Sequence, residues 1–82
     1  MEKRIGTITI LVTDRSRSAE INPIVSEYSD IVLCRQGLPF RESPVAVISL
    51  IVEGTVDRIN ALTGRLGRLG GVECKAVMTK TA

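Results

Sequence analysis

The 82-residue sequence predicts an α+β sandwich, a four-stranded antiparallel sheet with two helices on one of its faces. Three observations carry this. Segments of period-two alternation and segments of helical spacing follow one another in the order β-α-β-β-α-β. The two halves echo each other, with Val32-x-Cys34 after the first helical segment and Val72-x-Cys74 after the second. The first and third strand segments are the most apolar, and two right-handed split βαβ units put those two at the centre of the sheet.

Residues 5–13 alternate, with Ile8, Ile10 and Val12 on one side and Thr7, Thr9 and Leu11 on the other. That is a strand with one strongly apolar face. Asp14 to Ser18 is rich in helix N-caps. Ala19, Ile21, Ile24, Val25 and Tyr28 then recur at helical spacing, predicting a helix over about residues 16–29, loosened or kinked at Pro23. Residues 31–37 read as an edge strand that grows polar toward its end. Gly37 to Pro44, with one Gly and two Pro, reads as a connection.

Val45 to Val52 is apolar except at Ser49, the pattern of a strand buried on both faces. Thr55 reads as an N-cap, with Asp57 in the first turn where the helix dipole favours it. Val56, Ile59, Leu62, Leu66 and Leu69 then mark the clearest amphipathic helix, which Gly70-Gly71 ends. Residues 72–79 form the last strand, with Val72, Cys74, Ala76 and Met78 on one face. The expected spatial order is 4-1-3-2, a ferredoxin-like sandwich forming a single domain over residues 1–82.

Composition narrows the chemistry. Apolar residues are 44% and charged residues 24%, which is globular. A chain this small buries only about 60% of its unfolded surface, and such chains often gain stability by assembly. With no His, there is no imidazole ligand and no Ser-His or Cys-His couple. Two cysteines cannot complete a four-thiolate site. On opposite edge strands they stand about 14 Å apart, too far for an internal disulfide, and both are expected as small buried thiols. Asp14 and Glu53 end antiparallel central strands and fall at opposite ends of the sheet. The reading is therefore no enzyme, no cofactor and no metal site. A net charge of +2, spread along the chain, does not point to nucleic acid. No apolar run approaches the roughly 20 residues of a membrane span. The N-terminus lacks the apolar stretch of a signal peptide, so a reducing cytoplasm is expected.

Gly64-Arg65-Leu66-Gly67 matches the GXXG loop of an RNA-binding module and, with Gly70, a phosphate-binding glycine run. Both need glycines outside a helix interior. Leu66 and Leu69 stay in register with Ile59 and Leu62, so the glycines read instead as small residues permitting close packing. Arg58, Arg65 and Arg68 share the outer side of that helix and read as solvated charge. The sheet face away from the helices keeps apolar residues from the third strand in either phase, which points to a homo-oligomer, a dimer or tetramer. Arg35 and Arg41 flank Gly37, and these three residues are the candidate site for a small anionic effector. Asp14 to Ser18 is a second, weaker anion candidate, best explained by capping.

Three clusters then point to a family. Arg35-x-Gly37-x-Pro39-x-Arg41-Glu42, Ala61-Leu62-Thr63-Gly64-Arg65-Leu66-Gly67 and Gly71-Val72-x-x-Lys75 occur in this order. With them the chain resembles ACT-like proteins across residues 5–79, and more narrowly the short iron-only hydrogenase system regulators. The resemblance implies an oligomeric, cytoplasmic, bacterial regulatory module linked to iron-only hydrogenase genes. That family is similar in fold to the C-terminal domain of nickel-responsive regulators. Nickel sensing does not carry over, because its histidines are missing, and DNA binding does not, because no ribbon-helix-helix segment precedes residue 5. Amino-acid sensing would want a glycine where Asp14 to Ser18 stands. The expected function is a non-catalytic, self-associating module that binds a small effector; the alternative is a free-standing regulatory subunit of a metabolic enzyme.

Overall fold

The computed structural model of the chain describes residues 2–39 and 45–79. The elements are β1 (Arg4–Val12), a 3-10 turn (Arg15–Arg17), α1 (Ser18–Glu27), β2 (Val32–Pro39), β3 (Ala46–Gly54), α2 (Val56–Gly67) and β4 (Val72–Met78). The strands form one antiparallel sheet in the order β2-β3-β1-β4. This is the predicted order seen from the other edge, and the fold is ferredoxin-like.

Alternation in the central strands decides which side chains meet the helices. Ile8, Ile10 and Val12 of β1 and Ile48, Leu50 and Val52 of β3 are buried on one face. Against them lie Ile21 and Val25 of α1 and Ile59, Leu62 and Leu66 of α2. The three α2 residues are completely buried. Each such side chain stabilises the fold by roughly 1.5–3 kcal/mol relative to exposure.

Two strand readings need correction. β3 is not covered on both faces. Its second set, Val47, Ser49 and Ile51, stays partly accessible, and Ile51 is 40% exposed. Two helices on one side leave the other apolar phase uncovered within the chain. In β2, Val32 pairs with Val52 but Cys34 pairs with Ile51, so the register slips between them. This bulge carries Cys34 to the face opposite Val32. Val72 and Cys74 share one face, so the echo between the halves fails at this point. Cys34 is therefore exposed and not a buried thiol, while Cys74 is half-buried. The two free thiols stand on opposite edge strands.

Side-chain caps open the 3-10 turn and α2, while α1 has no side-chain cap of its own. The Asp14 carboxylate accepts the Ser16 N–H at 3.0 Å and opens the 3-10 turn. The helical stretch starts as this tight turn and continues as α1, with Pro23 exposed inside it. Thr55 caps α2 by accepting the Arg58 N–H at 3.2 Å. Beyond α2, Gly71 takes φ +72° and its carbonyl accepts the Thr13 N–H at 2.8 Å. A Cβ at Gly71 would lie 2.8 Å from Asp14 Cβ.

Gly71→Ala should therefore cost about 1–3 kcal/mol in urea unfolding. Gly70→Ala should stay within about 0.5 kcal/mol, because its Cβ meets only the flexible end of Arg17. Equal effects from the two substitutions would contradict this account of the turn.

Candidate functional site

Strand register lines up side chains in rows across the helix-free face. One row is Cys34, Ile51, Thr7 and Val77; the next is Gln36, Ser49, Thr9 and Lys75; the third is Leu38, Val47, Leu11 and Glu73. A polar row thus lies between two largely apolar ones. Ile5, Leu38, Ile51 and Val77 are exposed by 41%, 59%, 40% and 71%. All four belong to this face; Leu33, beside the bulge, is the fifth exposed large hydrophobic among the described residues. An open groove of about 550 Å³ crosses β2 and β3 here, lined by Gln36, Leu38, Val47 and Ser49. A wider one of about 730 Å³ follows the β4 edge.

The effector candidates are placed differently from the sequence reading. β2 continues to Pro39, so Gly37 is a strand residue paired with Ile48, not part of a turn. Gly and Pro are tolerated here because β2 is an edge. Arg35 and Gly37 share the helix-facing side of β2, in the rows of Leu50 and Ile48. Both are exposed, since the helices do not extend over this strand at these residues. Arg35 forms no ion pair among the described residues. Arg41 lies outside the described residues.

Arg58 and Arg65 of α2 are not simple solvated charge. Arg58 donates to Asp30 at 2.7 Å, and Arg65 donates to the Glu27 carboxylate. Both guanidinium groups lie over the Tyr28 ring, at 4.4 Å and 5.7 Å from its centroid. Tyr28, only 6% exposed, is thus covered by a pair of cations that tie α2 to the end of α1. Sequence spacing along α2 could not show this, because both carboxylates come from a separate segment. The hydrogen bond from Arg65 holds Glu27 below the usual carboxylate range.

The residues of the GXXG motif are helical and form no loop. Gly67 faces Cys74 Sγ at 3.7 Å from its ideal Cβ, while the Cβ position of Gly64 meets nothing within 4 Å. The first is ordinary van der Waals contact, so close packing within the chain requires glycine at neither position. The Cys74 thiol donates to the Thr63 carbonyl at 3.2 Å, and burial pushes its pKa up. It is a weak nucleophile in this state. Asp14 follows the end of β1 and Glu53 pairs with Ile5 at its start, so the two carboxylates are at opposite ends of the sheet. Among the described residues no group of three or more His, Cys, Asp or Glu is arranged to hold a metal ion, and no helix is long and apolar enough to cross a membrane.

Residues 4–76 match the TM1266-like family model, described as "Iron-only hydrogenase system regulator, putative". The chain belongs to this family. Its structure is similar to that of the uncharacterized protein TM1266 from Thermotoga maritima, with a TM-score of 0.89 and 39% sequence identity. That match covers 96% of this chain and 100% of the other. No curated protein matches. Family members are thus described as regulators, and both the match and the sheet order agree with the ferredoxin-like reading.

The Glu27–Arg65 pair gives a pH prediction. A carboxylate whose pKa is lowered by folding stabilises the native state at neutral pH. That contribution is lost as pH falls through its folded value. Glu27→Gln should lower the urea midpoint modestly at neutral pH, and the gap to wild type should close in acid. A gap that stays constant across the acid range would show that the pair has no electrostatic role.

Proposed function

We propose that this chain is a non-catalytic regulatory module of the iron-only hydrogenase system that works as a self-associated dimer or tetramer. The observation that carries the reading is the uncovered sheet face, where Ile5, Leu38, Ile51 and Val77 are all exposed. Several large exposed apolar side chains gathered on one face, in rows on either side of a polar one, offer an interaction surface. A domain of this size also gains stability from a partner surface. The hydrogenase system comes from the family description.

The non-catalytic part rests on the side chains present. No His is available to exchange protons near neutral pH. The Cys74 thiol is held protonated, and the carboxylates near the ends of β1 and β3 are separated by the length of the sheet. Regulation then needs an effector, and the exposed Arg35 beside Gly37 suits a phosphate or carboxylate. Gly37 leaves room there, since its ideal Cβ would meet only Ile48 Cγ1 at 4.0 Å.

Sedimentation velocity should show the wild type heavier than its 8.9 kDa monomer at micromolar concentration. Ile51→Glu should sediment lighter than wild type with an unchanged circular dichroism spectrum, because Ile51 lies outside the core under the helices. A wild type that remains a folded monomer would sink the proposal. For the effector, Arg35→Ala should weaken binding of inorganic phosphate by roughly tenfold, the worth of one charge-assisted contact. An unchanged phosphate titration would remove Arg35 from the site.

A further inference from the structure

We infer that β4 is a strand-addition edge for a second copy of this chain, the two β4 strands running antiparallel about a two-fold axis at Cys74. This rests on the self-association proposed above and names a surface for it, separate from the open face.

Backbone hydrogen bonds show which groups β4 offers. Thr13 N–H donates to the Gly71 carbonyl at 2.8 Å, and Thr79 N–H donates to the Ile5 carbonyl at 2.8 Å. Both pairs obey the β1–β4 register, so they set its alternation. Glu73, Lys75 and Val77 exchange bonds with β1. Cys74 and Ala76 point their N–H and C=O groups away from the sheet, and Val72 its C=O, while the Val72 N–H donates to the Leu69 carbonyl at 3.3 Å. The 730 Å³ groove runs along this edge, between Gly67 and Cys74 on the helix side and Glu73 and Lys75 on the other. Because residues 64 and 67 are glycines, both exposed, α2 extends no side chain from these positions toward an incoming strand.

The two sheet edges differ in how they are protected. β2 carries a bulge after Val32 and ends in Pro39, both devices that blunt an edge. β4 has neither, and its pairing with β1 is unbroken from Val72 to Met78. Such a strand is a template for another, and its charges select which. In-phase pairing requires that outward-bonding residues face one another. With Cys74 opposite the partner's Cys74, Val72 faces the partner's Ala76 and Glu73 faces the partner's Lys75. The two opposite charges then occupy the non-hydrogen-bonded positions, where side chains come closest. The in-phase register on one side sets Glu73 against the partner's Glu73. The one on the other side sets Lys75 against the partner's Lys75. Like charges directly opposite are destabilising. Of these three registers, the self-complementary one is the pairing centred on Cys74.

The test uses the full chain carrying Ile51→Glu, a position two strands away from β4, so that assembly through the open face is suppressed. That chain should sediment as a dimer. Adding Glu73→Lys or Lys75→Glu alone should weaken the dimer by roughly tenfold, since both cross-strand pairs become repulsive. Mixing the two singly reversed chains should restore association as a heterodimer, and combining both reversals in one chain should restore the homodimer. Ala76→Pro, which removes an outward N–H without touching the β1 ladder, should give a folded monomer by circular dichroism. Insensitivity to the reversals, or no heterodimer on mixing, overturns the pairing. A monomeric Ile51→Glu chain beside an assembled wild type overturns the edge while self-association stands. A monomeric wild type overturns both.

Discussion

β1 and β3 pair over their whole length, from Arg4 opposite Gly54 to Val12 opposite Ala46. This register sets Ile8 against Leu50 and Ile10 against Ile48, so the aliphatic rows of both strands land on one face. A slip of one residue would turn every one of those side chains to the other side. The helices pack on the face that carries these rows. Ile59, Leu62 and Leu66 reach complete burial because the central pair presents a matching strip. The two outer strands then attach to a centre that is already specified.

The same constraint leaves a second surface behind. A sheet has two faces, and two short helices cover one. β3 is apolar at nearly every position, so its other face stays apolar and accessible at Val47 and Ile51. The self-association proposed above would account for a strand that is covered on one side within its own chain and yet does not simply alternate. For a member of a family described as regulators, an assembly offers what a small monomer lacks. Effector binding can favour one arrangement of subunits over another.

Polar contacts act mainly at the periphery. Tyr28 is closed over by Arg58 and Arg65, which in turn bond Asp30 and Glu27. These groups are partly exposed, and screened pairs of this kind contribute modestly to stability. Their larger effect is geometric, since they set α2 against the end of α1. Arg17 does similar work at the other end of the layer, donating to the Gly70 carbonyl at 3.0 Å. The α2–β4 turn is thereby tied to the turn that leads into α1.

Element order, strand order, both caps and the core-facing residues of α2 were legible in the sequence, because each depends on local periodicity or on one residue beside a helix end. The same local logic located Gly70-Gly71 as a stop, though α2 already ends at Gly67. Other features could be decided only by tertiary structure. Gly37 and Pro39 look like a connection, yet they pair with β3, because an edge strand can give up a side chain or an N–H without losing its inner ladder. Cys34 repeats the spacing of Cys74 but faces the other way, because a bulge changes strand phase without leaving a mark in the pattern. Arg58 and Arg65 look like solvent charge on their own helix, and only the packing of α1 beside α2 brings the carboxylates and the tyrosine ring to them. Local sequence determines what each segment can form; which groups then meet depends on separations of many residues, and those are fixed when the layers close.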